Sequence, residues 1–491
     1  MTKSIRIGGA SGFWGDSVIA TPQLLNGNSL DFIVYDYLAE ITMSIMARAR
    51  SKDPSKGYAT DFVSSVMKLN LRQIADQNIK ILSNAGGVNP KACAEALREL
   101  IKEQNLDLKV AVILGDDLMS EKETLNRDNI LEMYSGVDFP DPDKIASINA
   151  YLGAFPIAKA LENGADIVIT GRSVDSAVTL GACIYSFGWN ENEYDFLSSG
   201  SLAGHIIECG TQSTGGNFTD WEQVSENLNN IGYPIVEIES NGLFTCTKSK
   251  SSSGIVNIGT VSEQMLYEIG DPQAYILPDV ICDFSNVELI EIENNMIQVS
   301  GAKGYPSPSD YKVSVTYADG FRGGHLCSFV GIDADKKAQV FGDAIFQRSK
   351  TIMRAMNIPD FDETSVEVIG SNSQYSTDID EKYNNKEVVL KFAAKHEDIR
   401  AIGIMLKESV GLGLATPPGL SGFAGARPKP SPVVRLFSFL IPKSKVPIKI
   451  IDDKEHDIEV SKGENYDSNQ TIRPLKPEYN DIEEELIDVP L

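Results

Sequence analysis

Ser4-Ile-Arg-Ile-Gly8 followed by Gly9-Ala-Ser-Gly12-Phe-Trp-Gly15-Asp16 decides how the chain is read. A short apolar run that stops in glycines and then in an acid is a strand feeding a turn, and the pattern recurs downstream. Strands are predicted at 4–8, 31–35, 79–83, 109–114 and 166–170, separated by helical periodicity. One helix is expected around Tyr58–Gln77, with Phe62, Val66, Leu69 and Ile74 inward. Another follows Pro90 over Ala92–Glu103, and a third runs from Asp141-Pro142 through Leu161 to Asn163-Gly164. Alternating strands and helices predict an α/β fold with a mainly parallel sheet and flanking helices in the N-terminal part.

After Trp189 the texture changes. Segments 235–239, 255–261, 287–292, 296–299 and 312–317 are β-rich, a strand begins at 326–332, a long helix is expected over 338–356, and 366–371, 388–393 and 399–406 complete an α+β pattern. The expected organisation is an α/β domain over 1–230, a second α+β domain with a mixed sheet over 231–448, and a tail over 449–491. From Ile451 onward 13 acidic residues face 4 basic ones, which predicts a solvated extension.

The 491 residues include 44 Lys+Arg against 69 Asp+Glu, a net charge of −25 that argues against nucleic-acid and anionic-membrane partners. No apolar run approaches the roughly 18 residues of a membrane span, and the start lacks a signal-peptide pattern, so a cytoplasmic location is expected. The six cysteines, at 93, 183, 209, 246, 282 and 327, are too widely spaced for a CxxC or a disulfide framework, and reduced thiols are the expected state.

Ligands of open α/β sheets bind beyond the carboxyl ends of the strands. Those ends supply Gly9, Ser11 and Gly12, then Asp36, then Asn84, Gly86 and Gly87, then Asp116, then Arg172 and Asp175. Gly9-x-x-Gly12-x-x-Gly15 with Asp36 permits a dinucleotide reading, although the strict GxGxxG is absent, as are P-loop and GxSxG motifs. A second dense segment, Gly204-His205-Ile-Ile-Glu208-Cys209-Gly210 to Thr214-Gly215-Gly216-Asn217, places a base, an acid and a thiol within five residues; on a helix His205 and Glu208 share a face. His205, Glu208, Arg172, Asp175 and Asp36 are the catalytic candidates. Gly9, Ser11, Gly12, Asn84, Gly86, Gly87, Asp116, Thr214, Gly215, Gly216 and Asn217 are the binding candidates, with the Gly86-Gly87 and Gly215-Gly216 amides expected to hold an anion. No metal site is assigned, since no HExxH, HxH or cysteine cluster occurs. His396 and His456, set among charges, read as surface residues.

Several of these segments also form an ordered series. Arg6–Asp16, Asp36–Glu40, Ser83–Gly87, Gly115–Asp117, Asn149–Gly153, Thr170–Arg172, Ala203–Gly210, Thr214–Asn217, Tyr267–Pro272, Lys312–Tyr317, Gly425–Pro428 and Val433–Phe437 resemble the acyclic terpene utilisation AtuA family. The resemblance implies breakdown of branched, terpenoid-type acids as coenzyme A thioesters, beside a biotin-dependent carboxylase, an acyl-CoA dehydrogenase and a hydratase. Together with the base, acid and donors of the strand-end loops, the leading expectation is a lyase or hydro-lyase acting on a hydroxyacyl-CoA or branched hydroxy acid, with coenzyme A as part of the substrate and no other cofactor assigned. Arg172 is then expected to pair with a substrate carboxylate. Some relatives carry a small ferredoxin-like domain that is not recognisable here, so it is expected as a separate partner subunit; a homo-oligomer is also expected. An NAD(P)-dependent oxidoreductase and a non-catalytic binding subunit of an acyl-CoA-processing complex are the alternatives.

Overall fold

A computed structural model describes residues 3–371, 373–374 and 386–465. Six strands lie in the first 170 residues: β1 (Ser4–Gly9), β2 (Phe32–Tyr35), β3 (Lys80–Ser83), β4 (Val110–Leu114), β5 (Ile145–Ala150) and β6 (Ile167–Thr170). The order β1-β2-β3-β6-β4 is parallel throughout. Successive residues on each strand face opposite sides, and both sides are apolar. Ile7, Val34, Leu82 and Val168 pack with the helices Phe155–Glu162, Ala177–Phe187 and Tyr194–Ile207. Ile33, Tyr35, Ile81 and Ile169 pack with Glu40–Lys52, Lys68–Asp76 and Pro90–Glu103. Burial on both faces is why these strands read as continuous apolar runs.

The expectation of a mainly parallel sheet is corrected by what is added at its edges. β7 (Pro234–Glu239) pairs antiparallel with β1 and is followed by β8 (Phe244–Lys248), Met296–Ser300 and Glu288–Glu293. At the other edge Ile448–Ile451 and Glu455–Ile458 extend β4. The result is an 11-stranded mixed sheet in which six of ten pairings are antiparallel. Residues beyond 230 thus complete the first sheet. Residues 449–458, assigned from charge to a tail, belong to its last two strands; 466–491 lie outside the described residues.

A second sheet is organised on one 21-residue strand, Asp310–Val330. Its first half pairs with β5 and Ser431–Pro442 and sends Val313 and Val315 into the first core, where Phe437 and Phe439 of Ser431–Pro442 join them. Its second half pairs with Glu387–His396 and Leu420–Phe423, with Glu363–Ile369 outside, and is covered by helices Ala334–Ala355 and Ile399–Gly411 around a separate core. A register shift between Ala318 and Phe321 divides the halves.

Four local expectations are overturned. The helix read from 141 to 161 begins with β5, where pairing to Asp310–Val330 outweighs helical periodicity, and is helical only over Phe155–Glu162. Segment 255–261 becomes the helix Ile258–Leu266, because Asn257 and Thr260 form a reciprocal capping box with Thr260 N donating to Asn257 Oδ1 at 2.8 Å. Leu69 is 73% exposed, because the Phe62–Met67 turn is π-helical and shifts the face that follows it. His396 is buried at 4% exposure, its Nδ1 accepting from Asp398 N at 2.8 Å.

Candidate active site

Because β1, β2, β3, β6 and β4 run parallel, their carboxyl ends share one edge, and the polar residues there meet. Asn84 Nδ2 donates to Asp36 Oδ1 at 2.5 Å, and Asn84 Oδ1 accepts from Tyr37 N at 2.8 Å. Ser11 Oγ donates to the Asp36 carbonyl at 2.9 Å. Arg172 Nη1 donates to Leu38 O at 2.8 Å and to Asp175 Oδ1 at 2.9 Å, while its guanidinium lies 4.3 Å from the centre of the Tyr151 ring. The Tyr151 hydroxyl donates to Glu40 Oε1 and lies 3.0 Å from Ser314 Oγ.

Helix Tyr194–Ile207 delivers the second cluster. Its last turn carries His205, whose Nδ1 lies 2.7 Å from Glu208 Oε1 as the i,i+3 spacing predicts. The end of this helix packs directly on the first loop. A Cβ on Gly9 would stand 2.4 Å from Ile207 O, and one on Gly12 would stand 2.7 Å from the Cys209 carbonyl carbon. These glycines serve close packing of chain against chain.

Between the loops lies a cleft of about 510 Å³ whose walls include Gly12, Asp36, Asp175, Glu208, Gly216 and Asn217. Arg172, His205, Asn84 and Ser11 stand buried directly behind it. Thr214 is buried with its hydroxyl donated to Gly232 O at 2.6 Å. Gly87 and Asp116 instead border a separate cleft with Arg50 and Asn89. Asp116 Oδ2 accepts from Arg172 N and Asn149 Nδ2, both at 2.8 Å, and a Cβ on Gly171 would stand 2.4 Å from Asp116 Oδ1. Asp116 therefore shapes the loop that carries Arg172 and Asp175.

Two expected roles do not hold. The amides proposed as an anion cradle already have acceptors. Gly86 N donates to Thr170 O, Gly87 N to Asn84 O, Gly215 N to Gln212 O and Gly216 N to Thr211 O, at 2.8 to 3.2 Å. Arg172, buried and committed to Leu38 and Asp175, is not among the residues lining the cleft and cannot clamp a substrate carboxylate there. Cys209 lines the cleft, but burial pushes its thiol up to about 12, which removes it as a thiolate at neutral pH.

The electrostatics separate the acids. Burial, then the charges of Asp175 and Glu208, hold Asp36 well above the ordinary carboxylate range. Burial lowers His205, but the charge and hydrogen bond of Glu208 outweigh it and leave His205 above its usual value; burial also raises Glu208, only partly offset by His205. Burial raises Glu40 as well, yet Arg172 and the Tyr151 hydroxyl outweigh it and hold Glu40 low. Asp16 and Glu268 add two more carboxyl groups to the cleft, and among the described residues no Lys, Arg or His lines it. Among the described residues no group of His, Cys, Asp or Glu is arranged to hold a metal ion.

Sequence reasoning singled out neither Asp16 nor Tyr267 and Glu268 as site residues, nor Tyr151 behind it. Asp16 closes the first loop, accepting from Gly12 N at 2.9 Å and from the Tyr233 hydroxyl at 2.6 Å. Glu268 reaches the cleft from a left-handed backbone, φ 60°, which no local motif announces. Tyr151 and Glu268 do sit within the ordered motifs 149–153 and 267–272, the one signal that could have found them.

Among proteins of curated function and among solved structures, none matches this chain. No described helix is long and apolar enough to cross a membrane. The model of the acyclic terpene utilisation family protein AtuA matches residues 5–451, nearly the whole length including every residue of the cleft, and the chain belongs to that family.

Proposed function

We propose that the protein is a proton-transfer enzyme of branched, acyclic acyl catabolism, a hydro-lyase acting on a β-hydroxyacyl substrate. One observation carries the reading: a buried carboxyl group biased toward its neutral form, Asp36, and a histidine-backed carboxylate, Glu208, open on the same cleft. Glu208 removes the proton α to the acyl carbonyl, and His205 stabilises the carboxylate between turnovers. Asp36 gives its proton to the β-hydroxyl, which departs as water; the electron pair of the broken C–H bond becomes the new C=C bond. Hydration is the same path reversed. The side-chain amides of Gln212 and Asn217 on the cleft wall supply donors for the developing enolate.

The acidic lining favours a neutral acyl thioester over a free carboxylate at the reacting end, which suits coenzyme A as the carrier, with its phosphates outside the cleft. A nicotinamide reading has less support. The pyrophosphate of a dinucleotide needs a glycine turn that opens a helix, whereas Gly9 and Gly12 abut residues 207–210 and the next helix starts only at Ala20.

The test is incubation of the full-length protein with branched β-hydroxyacyl thioesters in D₂O, followed by mass spectrometry. Loss of water with deuterium exchange at the α-carbon is expected, abolished by Asp36→Asn and by Glu208→Gln. Neither elimination nor exchange with any branched thioester would remove the hydro-lyase reading and leave the chain a binding subunit.

A further inference from the structure

The long strand Asp310–Val330 is paired along one side by two strands in succession: Leu420–Phe423 reaches Cys327, and Ser431–Pro442 begins at Arg322. Ala424 N still donates to Leu326 O at 3.0 Å, so residues 425–430 form an arch that leaves the strand at Leu326 and returns to it at Arg322. The arch reads Gly425-Ala-Arg427-Pro-Lys429-Pro430 and forms neither helix nor strand. Pro428 and Pro430 fix their own φ, which holds it extended and leaves little entropy to lose on contact. Arg427 and Lys429 are exposed, as is Arg322 at the foot, and none of the three makes an ion pair or a side-chain hydrogen bond among the described residues. Gly425–Pro428 is thus an ordered motif for which the cleft has no use within its own chain.

The acidic cleft is the complementary surface. No residue beyond Glu268 lines it, and its acids Asp16, Asp36, Asp175, Glu208 and Glu268 face no lining cation among the described residues. Two of the acids stand deep. Asp36 and Glu208 are 7% and 9% exposed, and in each one carboxyl oxygen, Oδ2 or Oε2, accepts no hydrogen bond among the described residues. Acids gathered in this way repel one another unless a counter-charge comes from outside. Glu268, at the mouth, is exposed. Beside it Phe13 and Tyr267 line the same cleft at 60% and 41% exposure. Such rings are surfaces on which a guanidinium stacks and proline-rich segments pack.

We infer that the arch of a second copy of this chain seats in the mouth of the acidic cleft, its Arg427 on Glu268 and its prolines against Phe13 and Tyr267. A small organic cation would answer the charge of the cleft but leave the arch unexplained, whereas a second copy accounts for both surfaces at once. Contact between two unlike surfaces closes either by exchange about a twofold axis or as a ring, and in both cases every cleft receives one arch. The seating rests on the two surfaces alone. That the arriving cation also steadies the developing enolate rests on the dehydration proposed above.

The experiment is sedimentation of the full-length protein, of Arg427→Glu, of Glu268→Lys and of the double variant, all at exposed positions that leave the core intact. The parent is expected to sediment as a dimer or a closed ring at low salt and to dissociate in about 1 M salt, where charges are screened within about 3 Å. Each single variant is expected to weaken association at least tenfold, and the double variant, which restores opposite charges in reversed order, to recover it. A monomeric parent overturns the inference. So do single variants that keep the parent's mass, or a double variant that stays dissociated, since the arch would then meet some other surface. None of these readings involves turnover: an oligomer that fails to eliminate water removes the dehydration and leaves the seating, and elimination by a monomeric parent does the reverse.

Discussion

Replacing Asp116 by Asn tests whether a buried acid under the Arg172 loop is neutral in the native state. Burial, the largest influence, raises this carboxyl from 3.8 to about 7, against the hydrogen bonds from Arg172 N and Asn149 that favour the charged form. Below pH 3.8 the group is protonated whether the chain is folded or not, and contributes no pH dependence. As pH rises toward 7 the unfolded chain loses the proton while the native state keeps it, so stability falls; above 7 the loss is complete. From 3.8 to about 7 the proton affinity rises by about a thousandfold, which at 1.36 kcal/mol per tenfold corresponds to a loss of about 4 kcal/mol. Asn cannot ionise, and because both donors meet the single atom Oδ2, an amide oxygen placed there retains them. Urea unfolding of the two proteins at pH 4 and pH 8 supplies the assay. Asp116→Asn should gain about 4 kcal/mol on the parent between those values, other titrations cancelling in the difference. Parallel pH profiles would refute the reasoning, because they would mean that Asp116 is already ionised in its buried position.

Gly9→Ala should destabilise the fold by about 1–3 kcal/mol or more, since its methyl meets the rigid carbonyl of Ile207; an unfolding midpoint equal to the parent's would contradict the close packing of the first loop on the 194–207 helix. His205, one of four histidines, should titrate above the ordinary value by NMR in the parent and lower in Glu208→Gln, where only the Met265 backbone and the charge of Asp175 are left to oppose burial; an unchanged titration would show that the carboxylate does not hold the imidazolium. Nicotinamide dinucleotides should leave Tm unchanged, whereas a ligand at 100 times its Kd would add about 2.7 kcal/mol; a clear upward shift would restore the oxidoreductase reading.

How far the site could be read in advance depended on the separation of its parts. His205 and Glu208 are three residues apart on a helix, so helical geometry alone predicted their contact. Asp36 and Asn84 are 48 apart; each was legible as a polar strand end, and only the parallel alignment of β2 with β3 puts one on the other. The commitments of Arg172 and of the Gly86 and Gly215 amides could not be read, because a donor's type in the sequence does not say whether an acceptor is already beside it.

The chain's own order of residues was sufficient for the five central strands, the helix that follows Pro90 and the family, because each depends on local periodicity or on short motifs that need no partner. Tertiary structure decided the rest. Whether β5 is strand or helix, whether residues 449–458 are tail or sheet, and whether a glycine faces a ligand or another stretch of backbone all turn on what stands across from them. A missing side chain records that space is scarce at that point; what fills the space is set by folding, which brings Ile207 to Gly9 and Asp116 to Gly171 across long intervals of chain.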